Sequence, residues 1–335
     1  MQNTALVITS IAPPTNAVLQ IYAQHCRQRG LEFILIGDVP SPPDFALDGC
    51  RFYGLDEQRE LPFKLAQMLP LRHYARKNLG YLLAKNHRLI IETDDDNLPQ
   101  DDYWTERADQ PQGHLLTNTG WTNVYRYFTD INVWPRGFPL TQLHDAPPDL
   151  SASVEQRVHC PIQQGLAHDQ PDVDAVFRLA HQVPSLWFND HAPILLGTGS
   201  WCPFNSQNTA WFREAYPLLY LPATCTFRMT DIWRSFVAQR VAWTCGWPVM
   251  FHAANVWQER NPHDLLRDFA DEIPGYLHNA KICALLEDLP LTDGPANLGA
   301  NLLACYEALA REKYLDASEL PLVEAWLCDL AASRQ

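Results

Sequence analysis

Three consecutive aspartates, Asp94, Asp95 and Asp96, end the run "RLIIETDDDN" at residues 88–97. Apolar residues lead into them, and no matching cluster of positive charge adjoins them. Adjacent carboxylates repel, so the arrangement costs stability unless solvent or a cation neutralises it. A solvated turn is one reading, since Asp and Asn favour turns. A metal site at the carboxyl end of a buried strand is the other. Residues two apart on an extended segment share a side. Asp94 and Asp96 then form the metal-holding pair, with Asp95 turned the other way. His252, after "PVMF", is a candidate third ligand, although a lone histidine is more often structural.

Other residues have chemistry to offer. "RHYARKNLGYLLA" (72–84) carries Arg72, Arg76 and Lys77, a basic run in an acidic chain. "FILIGD" ends a second apolar run at Asp38, an acceptor suited to a base or a ribose, or simply a turn residue. "PDVDAVFRL" (171–179) holds Asp172 and Asp174. They are placed either to complement a helix dipole or to bind sugar hydroxyls. "MTDIWRS" (229–235) puts Asp231 at a helix start. That is the place for an N-cap worth about 1 kcal/mol, or for a base facing an attacking hydroxyl. Arg228 and Arg234 flank it as candidate donor contacts. In "WPRGFPL" (134–140), Trp134 and Phe138 are expected to pack and Arg136 to be exposed to an anion. Trp121, Tyr125, Trp201 and Trp211 offer faces for sugar rings, although large aromatics mostly fill cores.

The elements that must position these groups alternate. "TALVITSIAPPTN" reads as a strand and a proline loop, "AVLQIYAQHCRQRG" as a helix ended by Gly30. "LEFILIGD" and "CRFYGL" read as strands, "LPFKLAQMLPLRHYARKNLGYLLAKN" as helical, and "HRLIIETDDDN" as a fourth strand. Such alternation predicts an α/β fold with a mostly parallel sheet covered by helices. Ligands of such sheets bind beyond the strands' carboxyl ends, where Thr9, Ser10, Asp38 and Asp94 to Asp96 all fall. Residues 113–208 show few periodic segments and are rich in Trp, Pro, Asn and Asp, the mark of a functional surface. "MTDIWRSFVAQRVAWTCG" (229–246) reads as an amphipathic helix capped by Thr230 or Asp231. Residues from His278 onward read as about three helical segments.

Bulk properties exclude some partners. The 335 residues are 47% hydrophobic and 19% charged, with a formal net charge of −14. That field disfavours nucleic acid and anionic membrane. An anionic small substrate would need a local positive site or a bound cation. No run approaches the roughly 20 apolar residues of a membrane span, and the N-terminus lacks a basic leader. The nine cysteines form no CxxC pair, which points to reduced thiols and a cytoplasmic protein. Neither GxGxxG nor GxxxxGK[ST] occurs.

The ordered blocks "RKNLGYLLA", "IIETDDDN", "NVWPRGFPL", "QQGLAHDQPDVDAVFRL", "PFNSQNTAWF" and "MTDIWRSFVAQR" resemble the STELLO family of glycosyltransferases, from about residue 5 to about residue 276. The resemblance implies a GT-A type nucleotide-sugar fold, distantly similar to reversibly glycosylated polypeptides and UDP-arabinopyranose mutases. It implies a glycosyltransferase domain over 1–277; residues 278–335, outside the resemblance, are a C-terminal extension by their helical pattern. The implied donor is a nucleoside-diphosphate sugar, with UDP as the nucleotide, and the acceptor a carbohydrate or glycan. A hard divalent cation, Mn²⁺ or Mg²⁺, would sit between the carboxylates and the diphosphate. On this reading Thr9, Ser10, Asp38, Arg76, Lys77, Asn78, Asp94 and Asp95 bind the donor. Asp94, Asp96 and His252 hold the metal, Asp172, Asp174 and Arg136 meet the substrate, and Asp231 is the base. Alternatives are a nucleotide-sugar mutase or self-glycosylating protein modified on a surface arginine, or a catalytically silent scaffold for another glycosyltransferase.

Overall fold

The computed structural model describes residues 3–151, 153–181, 185–259 and 264–332. The chain begins with β1 (Thr4–Thr9), α1 (Ala17–Arg29), β2 (Glu32–Ile36), β3 (Arg51–Tyr53), α2 (Leu55–Arg59), α3 (Lys77–Ala84) and β4 (Leu89–Thr93). Asn16 caps α1 by accepting from the Leu19 N–H, and Gly30 ends it with φ 67°. That left-handed conformation is one glycine adopts without a Cβ clash.

The irregular middle supplies β5 (Asn97–Pro99), β6 (Gln112–Leu116), β7 (Gly120–Trp121), β8 (Glu155–Arg157), β9 (Ile162–Asp169), α4 (Ala175–Ala180), β10 (Ile194–Leu196), β11 (Ser200–Trp201) and β12 (Asn208–Phe212). Then come α5 (Thr230–Trp243), β13 (Val249–Gln258), α6 (Leu265–Glu287), α7 (Leu298–Arg311) and α8 (Glu319–Ala331).

The α/β class is as expected: a central sheet in the order β3-β2-β1-β4-β12-β9-β13-β10-β6-β8, with β5 on β13 and helices against it. The four strands β3, β2, β1 and β4 are parallel. Strand β12 then enters antiparallel to both β4 and β9, and β9 pairs in parallel with β13. The sheet is therefore parallel at one end and mixed beyond it. Direction matters here, because β1, β2, β4, β9 and β13 all leave through one edge. The reversed β12 begins at that edge, with Asn208 opposite Thr93, which delivers Ser206 and Gln207 beside Asp94.

Alternation along β1 splits the core. Val7 joins Ile34 and Ile36 on one face. Leu6 and Ile8 join Phe33, Leu35 and α1 on the other. A Cβ on Gly80 would meet Val7 Cγ1 at 2.5 Å, so α3 lies close on β1 because residue 80 has no side chain.

Two local expectations are corrected. Residues 61–86 are not one helix: short 3₁₀ turns at Leu65–Gln67 and Tyr74–Arg76 precede α3. Pro62 and Pro70 disfavour helix in the residues before them, and Arg72 has φ 55°. Helix α5 is not amphipathic either, since every residue from Thr230 to Gln239 is buried. The helices α6 and α7 pack on its outer side. Its N-cap is Met229, with no side-chain cap bond, so neither Thr230 nor Asp231 caps it.

Helix α6 crosses residues 277 and 278 without a break. The last helix is tied to the sheet domain by two buried acids. Glu319 accepts from the Tyr220 hydroxyl, from the Ala223 N–H at 3.0 Å and from the Thr224 N–H at 2.8 Å. Asp329 accepts from the Lys64 and Leu65 N–H groups at 3.0 and 2.8 Å. Among the described residues, no helix is long and apolar enough to cross a membrane.

Candidate active site

A cleft of about 600 Å³ opens at the sheet edge where these strands leave. Nine of the expected site residues line it: Thr9, Ser10, Asp38, Asp94, Asp95, Asp96, Arg136, Asp172 and Asp231. The apolar strands position the first six, and the irregular middle and α5 bring the rest.

The three aspartates have different partners. Asp94 Oδ1 accepts from the Tyr74 hydroxyl at 2.8 Å and from Lys77 Nζ at 3.2 Å. Asp95 accepts from the Ser10 hydroxyl. Asp96 Oδ2 accepts from Gln258 Nε2 at 3.2 Å, while its Oδ1 is buried with no hydrogen-bond partner. Burial raises the pKa of Asp94 and Asp95. Burial, followed by the charges of Asp94 and Asp95, pushes Asp96 up to about 7. Burial and repulsion within the run thus fall together on Asp96, which has no cationic partner among the described residues. Among the described residues, no group of three or more His, Cys, Asp or Glu is arranged to hold a metal ion by itself.

Other expected donor contacts lie below or away from the cleft. Lys77 is fully buried under its floor, donating to Tyr74 Oη and the Thr93 carbonyl at 2.8 Å each. It reaches the cleft through Asp94, Tyr74 and Ser206. Arg76 points inward, to Gln58 Oε1 at 2.8 Å and to the Leu69 and Pro70 carbonyls. Asn78 exchanges hydrogen bonds of 2.9 Å with the Leu221 backbone. Arg72 stays exposed and lines the cleft, whereas Arg76 and Asn78 are turned into the protein as α3 packs on β1 and satisfy buried carbonyls. Asp38 lines the cleft but also ties its own loop, accepting from the Val39 N–H at 2.7 Å and the His73 N–H at 3.0 Å.

Two further expectations are corrected. His252 is not among the residues that line the cleft. Its Nδ1 sits 2.8 Å from the Ala253 carbonyl, and burial with Arg107 nearby lowers its pKa to about 4. Asp174 is the side-chain cap of α4, bonded to the Phe177 N–H at 2.8 Å and to Trp134 Nε1–H at 2.7 Å. Burial pushes it up to about 7.

The far rim is built on Arg136, which is buried rather than exposed. It grips Asp172 through Nε and Nη2 at 2.8 and 2.7 Å. It grips Asp231 through Nη1 and Nη2 at 3.0 Å each. Asp231 also accepts from the Ser206 N–H at 3.2 Å. Burial opposes its ionisation, but Arg136 outweighs burial and holds the carboxyl down at about 2. A carboxylate so acidic and so fully bonded is a weak proton acceptor. In this geometry Asp231 is held ionised and hydrogen-bonded at the cleft wall.

Arg234 is also diverted: it lies buried against Glu92, with Nη1 and Nη2 at 3.0 and 2.9 Å from its carboxylate. Trp134, Trp201 and Trp211 are core residues. Residues missed in the sequence include Tyr74, Phe227 and Arg267, all lining the cleft. Phe227 is 54% exposed and meets Tyr74 edge-on.

Comparison with known proteins agrees with the resemblance read from the sequence and extends it. The family model "STELLO glycosyltransferases" matches residues 228–334. The matched region therefore includes the C-terminal helices, beyond the limit near residue 276 set by the motifs. The probable glycosyltransferase STELLO1 of Arabidopsis thaliana is 28% identical over 324 residues, 91% of this chain and 42% of its own length. STELLO2 of the same plant is 26% identical over 90% of this chain and 42% of its own length. This chain thus spans less than half the length of these curated relatives. Among solved structures, the mannosyltransferase PcManGT of Pyrobaculum calidifontis is similar with a TM-score of 0.42 and 13% identity, covering 99% of this chain and 76% of that one. By family model and by curated relatives along nine-tenths of its sequence, the chain is related to the STELLO glycosyltransferases.

Proposed function

We propose that this protein is a metal-dependent glycosyltransferase with a GT-A-like domain. It moves a sugar from a nucleoside-diphosphate sugar, with UDP as the nucleotide, to a carbohydrate or glycan acceptor. The observation that carries this reading is the acidic run at the carboxyl end of β4. It lines the cleft and ends in Asp96, whose Oδ1 is buried and unpartnered. Such an oxygen fits a cation. Mn²⁺ and Mg²⁺ take few protein carboxylates and fill their shells with water and phosphate, so a lone pair of aspartates suffices without a closed protein cage. Asp94 and Asp96 would hold the ion, which when bound neutralises charge on the leaving diphosphate.

The chain's own residues do the remaining work. Lys77 and Tyr74 fix the Asp94 carboxylate from beneath, and Ser10 fixes Asp95. Thr9 Oγ1, buried without a partner, faces the nucleotide side of the cleft with Asp38. Arg136 locks Asp172 and Asp231 as rigid acceptors for sugar hydroxyls. Residues 278–335 act in this reading as support for the cleft. A cytoplasmic setting belongs to the same reading, supported by nine cysteines that are all free thiols.

The test is incubation with a panel of UDP- and other nucleotide-sugars with and without Mn²⁺, reading free nucleotide. Cation-dependent UDP release supports the proposal. No nucleotide binding with either metal ion would leave a silent scaffold. One observation favours a self-modifying reading. Arg72 lines the cleft, is exposed and makes no ion pair among the described residues. A sugar retained on Arg72, seen as added protein mass after incubation, would select that reading.

A further inference from the structure

We infer that the acceptor carries an anionic group, a phosphate or a carboxylate, and that Arg267 receives it. This rests on the glycosyltransferase reading above and names the substrate class of its second subsite.

The two ends of the cleft differ in charge. Asp38, Asp94, Asp95 and Asp96 gather where the parallel strands end. Of the five guanidiniums that line the cleft among the described residues, Arg72 belongs to the segment that bonds to Asp38, and the other four, Arg136, Arg178, Arg228 and Arg267, form the rim beyond. The two ends are joined by one chain of polar contacts. Tyr74 Oη lies 2.8 Å from Asp94 and 2.7 Å from Ser206 Oγ, and Ser206 Oγ lies 3.3 Å from Asp231. A cation at the first end and an attacking hydroxyl at the second thus face a single continuous wall.

Three of the four rim guanidiniums have work within the protein. Arg136 is taken up by Asp172 and Asp231. Arg228 is taken up by Glu272, with Nε at 2.9 Å and Nη2 at 2.7 Å. Arg178 donates to Gln170 Oε1 at 2.7 Å and the Pro171 carbonyl at 2.8 Å. Arg267, in the first turn of α6, is exposed, lines the cleft and makes no ion pair among the described residues. The chain as a whole carries net charge −14, so a guanidinium facing the cleft without an acid is a specific provision. Its forked donors match a carboxylate or a phosphate.

Position sets Arg267 near the Phe227 side of the cleft. Helix α6 packs on the Phe227–Met229 turn and on α4; one turn beyond Arg267 the Asp271 carbonyl accepts from the Thr226 hydroxyl and Glu272 accepts from the Ala175 N–H. Phe227, 54% exposed, gives an apolar face on which a sugar ring can rest. An acceptor lying there would turn its hydroxyls toward Asp172 and its charge toward Arg267.

The test uses the full chain and three probes: glucose 6-phosphate, glucuronate and glucose. Each is titrated calorimetrically onto the protein with Mn²⁺ and UDP present, and again with both absent. We expect at least one charged sugar to bind about tenfold more tightly than glucose, as one charge-assisted contact provides. The two charged probes separate phosphate from carboxylate. Arg267→Gln should remove that preference while circular dichroism shows the fold intact, and Arg267→Lys should restore part of it. Equal affinity for glucose and both charged sugars overturns the inference. So does a preference that survives in Arg267→Gln, or an Arg267→Gln variant that loses affinity for UDP instead, which would assign the arginine to the donor. If UDP and Mn²⁺ fail to bind but the charge preference is present, the transferase reading falls and the anion site stands.

Discussion

Lys77 Nζ lies 3.2 Å from Asp94 Oδ1, with the lysine fully buried and the aspartate facing the cleft. One half of this ion pair belongs to the core and the other to the site. The lysine also donates to two backbone carbonyls, Thr93 and Ser206, so it clamps β4 to the segment before β12. Replacing it should damage stability and binding together. Lys77→Met leaves a largely buried carboxylate unpaired and is expected to cost about 3 kcal/mol. Urea denaturation and Mn²⁺ titration check this. A variant of normal stability would mean that Asp94 finds another partner.

Asp96 presents the opposite case. Burial, and then the charges of Asp94 and Asp95, disfavour its ionised form, so Asp96→Asn should hold or raise the melting temperature without metal. The same change should abolish the cooperation between Mn²⁺ and UDP. In the native protein, a ligand at a hundredfold excess over its dissociation constant adds about 2.7 kcal/mol. UDP should add to this only with Mn²⁺ present. Melts with UDP, Mn²⁺ and both would test it. Equal UDP stabilisation with and without the metal returns the aspartates to a solvated turn.

Asp231 separates positioning from proton transfer. A general base contributes roughly 10²–10⁴ in rate. Held at about 2 by Arg136, Asp231 should contribute less. Asp231→Asn is expected to lower kcat by under about 100-fold, with a larger effect on acceptor KM and no loss of an ionisation from the pH profile between 5 and 8. A larger fall in kcat with KM unchanged would restore the base role.

Asp174 supplies a pH test remote from the acidic run. Its pKa is about 7 in the folded chain against an ordinary value of 3.8. Between these values the native state binds more protons than the unfolded state, so stability falls as pH rises. The contribution is fully present below 3.8 and lost as pH passes 7. Asp174→Asn keeps an oxygen to cap α4 but cannot titrate. Its stability relative to the native chain should therefore improve between pH 4.5 and pH 7.5, measured by urea unfolding. A constant difference would show that Asp174 ionises normally.

The legible part of this fold is the part written in local runs. "TALVIT", "EFILI" and "LIIET" are apolar and flanked by breakers, so β1, β2, β4 and the edge they share could be read directly. The acids at that edge followed from strand ends alone. The basic run failed as a guide because charge in a sequence carries no direction. Arg76 and Asn78 look like anion ligands until α3 is laid on β1, which turns them toward the carbonyls of Leu69, Pro70 and Leu221. The Arg136 clamp was equally hidden. Its partners are 36 and 95 residues away, and a single sequence holds no sign of such a pairing. Arg267 has no motif around it, and only the packing of α6 brings it to the cleft.

Glu319 gives the molecule an order of assembly. The segment it holds, Tyr220 to Thr224, leads directly into the turn bearing Phe227 and Arg228 and into α5 with Asp231. These bonds span 95 to 99 residues of chain. During synthesis the parallel strands and the acidic run are complete long before Glu319 leaves the ribosome, so the strand-end side of the cleft takes shape first and the Phe227 side last. A chain stopped after α7 would keep the acidic strand ends with an unfastened opposite wall. The final helix works as a latch, closing a site to which it contributes no lining residue.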